Sequence, residues 1–429
     1  MSDELQYLFG FGNEFQSEAL SGALPIARFS PQRPALGLYA EKFSATTFTA
    51  PRQNNRRLWF YRIRPSATLG TFAPYPHPLL GTAPLDNARV PINPMRWSAP
   101  TLQFEHDFVD GLVTIAANGN VAMHSGIGVH LFACGRPMAN RCFVNYDAET
   151  LLVPQSGVIT VQTECGTLAA RPRDIAVVPR GMKFKVDPDS TANGYVCENY
   201  GQYLRLPERG PIGSDGLANT RDFETPVARF SDAEEPWEII GKSHGVLYRA
   251  EIRHTPFDVV GWLGNAVPYR YDLARFNAMG SISFDHPDPS IFTVLTAPSE
   301  IPGTANMDLV IFPPRWLVAE DTFRPPYFHR NVMSEFMGLI YGQYDAKAEG
   351  FEPGGMSLHN VMTPHGPDAK ATAAASEAAL GPRHLADTLA FMFETRFALA
   401  ISEWAASSPA LQQNYSDCWQ DIGRNFTPR

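Results

Sequence analysis

Apolar and polar positions alternate with a period of two along most of this chain, the pattern of strands rather than helices. RRLWFYRIR, residues 56–64, sets Leu58 and Phe60 on one face and Trp59, Tyr61 and Ile63 on the other. LVTIAANGNVAMH holds two short β-prone runs around Asn118-Gly119-Asn120, a hairpin signal. GVHLFACG reads as a further strand, and SGVITVQTECGTLAARPRDIAVVPRGMKFKV, residues 156–186, alternates strands with Gly and Pro-Arg-Asp turns. Beyond residue 281, SISFDHPDPSIFTVLTAPS and MDLVIFPPRWLVAE carry β-branched and aromatic runs broken by proline. TLAFMFETRFALAISEW has its apolar residues at Leu389, Phe391, Phe393, Phe397, Leu399 and Ile401, again period two, and so predicts a strand.

Helical signals are few. SDAEEPWEIIGKSHG opens on a Ser-Asp cap candidate and stops at Gly245, and PYRYDLARFNAMG predicts a second short helix ending at Gly280. This interlude supplies the expected boundary between an N-terminal β-rich domain, residues 1–280, mainly structural and oligomer-forming, and a C-terminal β-rich domain, residues 281–429. ATAAASEAALG predicts a helix or a surface loop, and PALQQNYSDCWQDI a terminal helix. The expected class is mainly β, in two domains with a few short helices.

Composition supports that class and narrows the function. Among 429 residues there are 33 glycines and 37 prolines, spread along the chain, which means many turns. Charged residues make up 18%, against about 25% in typical domains, which implies extensive buried surface of the kind subunit contacts provide. A net charge of −9 argues against nucleic acid as a partner. Five scattered cysteines, Cys134, Cys142, Cys165, Cys197 and Cys418, form no metal or disulfide pattern and suit a reducing compartment. MSDELQYLFGFGNEF lacks the features of a secretory signal and no apolar run is long enough to span a bilayer, so a soluble cytoplasmic protein is expected.

The candidate chemistry lies between Arg324 and Asp368, which contains His329, Glu335, His359 and His365. Two histidines and one carboxylate, here His329, Glu335 and His365, make the ligand set of mononuclear non-haem Fe(II) oxygenases, although imidazole and carboxylate also suit Mn(II) or Zn(II). Six residues separate His329 from Glu335. That is about 20 Å along a straight strand and about 9 Å of rise on a helix with the side chains diverging. The backbone between them must therefore turn, and Asn331 and Ser334 suit a turn. The same spacing also occurs among ordinary polar residues of Pro/Gly-rich loops. His124 and His130, six apart among apolar residues, could form a second metal site or be hydrogen-bonded core residues. Nucleophile-elbow, zincin and phosphate-loop motifs are absent from the sequence.

Two resemblances sharpen this picture. Gly157, Pro172, Asp174, Pro179 and Gly181 are spaced as in the second half of a cupin barrel. Over nearly its full length the chain resembles the homogentisate 1,2-dioxygenase family, through YLFGFGNEFQSEAL, APRQNNRRLWFYRIRPS, FDHPDPSIFTVLTAPS, FRPPYFHRNVMSEFMGLIYG and PGGMSLHNVMTPHGPD. The resemblance implies a cupin-like barrel or sandwich of jelly-roll type and a homohexamer built as a dimer of trimers. It also implies Fe(II), and homogentisate plus O2 giving 4-maleylacetoacetate in phenylalanine and tyrosine catabolism. By the same resemblance His329, Glu335 and His365 are the metal ligands, His286 is the base and Tyr344 contacts substrate, with His359 and His365 beside it. Asp285 and Asp288 flank His286 and could orient its ring. The alternatives are a dioxygenase of a related hydroquinone such as gentisate, and a cupin-type binding protein without turnover.

Overall fold

The computed structural model describes residues 5–86, 89–347 and 349–428. The chain is mainly β, as its alternation predicts, with α-helices at Ala369–Glu377 and Glu403–Ser407 among the described residues. Its sheets are open rather than closed into barrels. A nine-stranded sheet lies at the centre, with Ile127–Cys134 among its inner strands. All eight residues of that strand are buried, because both faces of the sheet are covered. Val129 and Leu131 pack towards a six-stranded sheet carrying Leu309, Phe336 and Phe393. Their neighbours Phe132 and Cys134 pack the opposite way, against Val161 and Phe184 of a seven-stranded sheet and Leu58 and Phe60 of a four-stranded one.

The six-stranded sheet positions the candidate chemistry. Its central strands are Ala305–Phe312, Thr388–Thr395 and Ser334–Gly342, followed by Met356–His359. Inward residues Leu309, Ile311, Phe336, Phe391 and Phe393 enter the shared core. Outward residues Val310, Phe312, Met337 and Met392 belong to a separate cluster with Phe292, Tyr344 and Phe351. Period two thus gives this sheet a dry inner face and an outer face on which polar side chains can be placed.

The two ends of the chain interlock. The edge of the six-stranded sheet is completed by Met95–Trp97, which pairs with Met356–Leu358. Conversely, Ala400–Ile401 completes the edge of the nine-stranded sheet against Ala116–Ala117. Trp97 is wholly buried, and its indole donates to Ala405 O at 2.8 Å.

Two expected helices are strands. Trp237–Ser243 pairs with Val246–Ile252 in a hairpin, and the turn is His244-Gly245, both at positive φ (48° and 77°). The glycine expected to stop a helix instead makes a hairpin turn. Likewise Tyr269–Asp272 is a strand followed by a single 3-10 turn, Leu273–Arg275. The expected terminal helix is a 3-10 segment, Tyr415–Trp419. The five cysteines are free, and four are buried. Among the described residues no helix is long and apolar enough to cross a membrane.

The interlock should dominate stability. Trp97→Ala is expected to cost about 3–5 kcal/mol, the usual penalty for emptying a buried aromatic site, and Trp97→Phe clearly less. Urea denaturation of the variants reads this out. A Trp97→Ala protein unfolding at the wild-type midpoint would show that the seam carries no stability.

Candidate metal centre

His329, Glu335 and His365 come together, with one donor atom of each within 4.8 Å of the others. Glu335 is the second residue of the Ser334–Gly342 strand and points outward, between Glu394 and His359 on the adjacent strands. The histidines lie in two loops held by an isolated antiparallel bridge. His329 N donates to His365 O at 2.9 Å, and His365 N to His329 O at 3.1 Å. That exchange brings the two backbones as close as any hydrogen-bonded strand pair. The turn demanded by the spacing is made by Asn331, whose Oδ1 accepts from Met333 N at 2.9 Å. Its Nδ2 donates to Glu335 Oε1 at 2.8 Å and also to Glu394. Ser334 Oγ bonds Asn360 Oδ1 at 3.0 Å, tying the start of the strand to the neighbouring loop.

The donor set suits a cation. His329 Nδ1 is held by Tyr327 O at 2.8 Å and His365 Nδ1 by Thr363 O at 2.9 Å. With Nδ1 turned to a carbonyl, each Nε2 is aimed at Glu335, where it donates to the carboxylate in the metal-free chain and, once deprotonated, would offer its lone pair to a metal. Both Nε2 atoms face the carboxylate, at 3.6 Å from Oε1 for His329 and 2.8 Å from Oε2 for His365. Burial alone would raise the Glu335 pKa, but hydrogen bonds with His329 and His365 outweigh it and hold the carboxyl well below its ordinary value. With no thiolate present, these two imidazoles and one carboxylate fit a divalent first-row ion with open positions, such as Fe(II).

His359 is brought to the site but does not join the cluster. Its ring stacks on that of His365 at 3.9 Å and 4°. Its Nε2 is 3.0 Å from the Tyr415 hydroxyl, while its buried Nδ1 has no partner. Burial and the neighbouring His365 push its pKa far down, so it is neutral.

A cavity of about 410 Å³ opens beside the cluster, and His286, Tyr344 and His359 all line it. Tyr327 packs edge-on against both His286 (5.8 Å) and His329 (5.9 Å), linking the loop of one to the loop of the other. His286 is not oriented by its flanking aspartates. Its Nδ1 is 2.9 Å from Pro287 O, and Asp288 instead caps a 3-10 turn through Ser290 N at 2.9 Å. The buried Nε2 of His286 is left without a protein partner. Burial lowers its pKa below 6.5, so the ring is a neutral acceptor.

Two half-buried carboxyls were not found from the sequence. Asp308 and Glu394 are cross-strand neighbours, and Glu394 in turn neighbours Glu335, so the three form one row across the sheet. Burial raises Asp308 to about 6. Burial and the Glu335 charge raise Glu394 to about 7, against the opposing Asn331 hydrogen bond. Alternation alone placed these residues outward among Leu309, Phe393 and Phe391, and a polar residue in such a run is the signal available. His124 and His130 do not form a second cluster. His130 is buried, 2.9 Å from Thr114 Oγ1 and 3.3 Å from Glu198, while His124 ends a 3-10 turn beside Arg180.

Two family models cover the chain. One, described as homogentisate 1,2-dioxygenase N-terminal, matches residues 6–273 and the other, homogentisate 1,2-dioxygenase C-terminal, residues 274–426. Among solved structures, protein Ylba from E. coli is 10% identical with a TM-score of 0.32, over 72% of this chain and 95% of that one. A cupin superfamily protein from Desulfitobacterium hafniense DCB-2 is 12% identical with a TM-score of 0.20, over 26% of this chain and 98% of that one.

The cluster makes metal binding measurable. Glu335→Ala should reduce the Fe(II) retained after gel filtration to a small fraction of wild type, because two neutral imidazoles remain without their charged partner. Wild-type metal content in that variant would exclude Glu335 as a ligand.

Proposed function

The chain belongs to the homogentisate 1,2-dioxygenase family of oxidoreductases, and on that premise we propose that it holds Fe(II) through His329, Glu335 and His365 and opens the ring of homogentisate with O2. The product is 4-maleylacetoacetate, both oxygen atoms entering it, as a step of phenylalanine and tyrosine breakdown. The observation that carries the reading is the convergence of two carbonyl-oriented imidazoles and one buried carboxylate at the wall of a cavity that also holds an unpartnered histidine nitrogen.

Held by His329, Glu335 and His365, Fe(II) would supply the Lewis-acid and redox chemistry that ring and dioxygen need. The remaining work falls to side chains. His286, which lines the cavity and whose Nε2 has no protein partner, takes the proton of a substrate hydroxyl, so that the ring reacts as its more electron-rich phenolate. The Pro287 carbonyl fixes the tautomer that makes this possible. Phe312, Met337, Tyr344 and Phe351 present apolar faces to an aromatic ring and exclude water around it. Tyr344 also brings a hydroxyl for hydrogen bonding to substrate. His359, neutral and stacked on His365, holds that ligand's ring plane and lines the substrate space.

Oxygen uptake after chelation and metal repletion tests this. Fe(II)-loaded protein should consume O2 with homogentisate and outpace gentisate, and Zn(II)-loaded protein should consume none. His286→Ala should keep its iron and lose about 10²–10⁴-fold in kcat/KM. Wild-type activity should rise with pH through an apparent pKa below 6.5, because imidazolium cannot accept the proton, and the variant should lack that limb. Binding without O2 consumption for every hydroquinone tried would defeat the reading and favour a binding protein.

We further propose a homohexamer, a dimer of trimers, in the cytoplasm. Large apolar side chains stand in solvent at Ile26 (90% exposed), Phe48 (81%) and Ile92 (83%), as subunit contacts would require. The free cysteines fit a reducing compartment. Light scattering should give six times the chain mass of 47.4 kDa, and a monomer would refute the assembly.

A further inference from the structure

Burying a cation without a counter-ion is costly, so buried lysines and arginines are normally paired. Six are buried among the described residues: Arg62, Arg96, Lys183, Lys242, Arg315 and Lys347. Four follow the rule. Arg62 meets Glu164 and Asp258, Lys183 meets Glu164, Lys242 meets Glu198 and Arg315 meets Asp345. Arg96 and Lys347 do not, since neither has a carboxylate oxygen within 4.0 Å among the described residues. Both line the cavity beside the metal cluster.

The direct contacts of these two cations are with neutral groups, and the charge of the buried Asp368 reaches Lys347 only from beyond ion-pair distance. Lys347 Nζ donates to Gly366 O at 2.8 Å and lies 4.4 Å from the Trp419 ring centre and 5.3 Å from that of Tyr415. Arg96 stacks at 4.4 Å from the Tyr415 ring centre, with Nε on Gln412 Oε1 and Nη1 on Glu349 O at 3.3 Å. They thus flank Tyr415 as a preformed positive pole. The carboxyl row of Asp308, Glu394 and Glu335 lies elsewhere on the cavity wall. Arg330, beside a metal-ligand candidate, is exposed and makes a weaker anchor.

We propose that Lys347, supported by Arg96, binds the carboxylate arm of an aromatic acid substrate and selects for acids over neutral hydroquinones. This rests on the proposed homogentisate reaction and names the residues that fix the acetate. The missing counter-ion of the cavity is then the substrate itself, so its arrival completes a pair that the chain leaves open. The aromatic faces of Trp419 and Tyr415 keep the ammonium in position without neutralising it. The arm would be fixed at this pole while the hydroxyl-bearing ring extends towards His286 and the cluster.

Anaerobic calorimetric titration of the Fe(II)-loaded protein with homogentisate and with its neutral amide, 2,5-dihydroxyphenylacetamide, tests this. Wild type should bind the acid roughly 10- to 100-fold more tightly, as for one desolvated charge-assisted hydrogen bond. Lys347→Met should lose that preference while keeping its iron and its affinity for the amide. In turnover its KM for homogentisate should rise more than its kcat falls. A Lys347→Met protein that still prefers the acid by the wild-type factor overturns the proposal. If Lys347→Met does not fold, the wild-type ratio and Arg96→Gln decide. Equal wild-type affinity for acid and amide overturns the proposal, and a preference weakened by Arg96→Gln supports it. Wild type that turns over homogentisate without favouring the acid refutes this inference alone. Wild type that binds neither compound and consumes no O2 refutes the underlying reaction, and the inference with it.

Discussion

Glu335 is a carboxylate placed almost wholly inside a β-sheet, at 4% exposure, and a buried negative charge has to be met. Much of the surrounding architecture meets it. The isolated bridge between residues 329 and 365 holds two loops together so that two imidazoles face one carboxylate. Asn331 fixes the remaining side of Glu335 and forms the turn that returns His329 towards the strand. In the chain alone, shared protons must do the work of a cation. Under the proposed assignment, an ion with two positive charges would replace them at one point.

The cavity is electrically divided. Glu394 near 7 and Asp308 near 6 hold their protons more firmly than Glu335, so the row does not carry three equal charges. Lys347 and Arg96 stand apart from that row around Tyr415. An aromatic acid fits such a division, with its anionic arm at the cationic pole and its neutral ring over Phe312, Met337 and Phe351. A neutral ring compound would satisfy only the apolar part of the cavity.

The sheet-rich class was legible because alternation is a local property, and strands such as Ile127–Cys134 and Thr388–Thr395 carry it plainly. The helix predicted near Trp237 failed because a cap-like Ser-Asp and a stopping glycine also suit a hairpin. The local hairpin with Val246–Ile252 and long-range pairing with Arg141–Asn145 decided the outcome. Within the site, residue type and resemblance pointed to His329, Glu335 and His365, and spacing showed the need for a turn after His329. The orientation of His286 was not, since its partner is a backbone carbonyl and not the aspartates beside it. Lys347 sits in an ordinary polar stretch, YDAKAEG, and nothing local distinguishes it from a surface lysine. Its burial comes from Trp419 and Tyr415, far along the chain.

The exchange of edge strands between the ends of the chain has a consequence for synthesis. As the polypeptide leaves the ribosome, Met95–Trp97 emerges long before its partner Met356–Leu358, and the edge at Ala116–Ala117 waits for Ala400–Ile401. Until Ala400–Ile401 has been translated, the nascent chain displays an unpaired strand edge and an exposed tryptophan, both surfaces on which incomplete chains associate. Truncation near the C-terminus therefore does more than shorten a tail. It leaves the early sheet in its unfinished state, a target for chaperones while translation continues and for proteases once it stops.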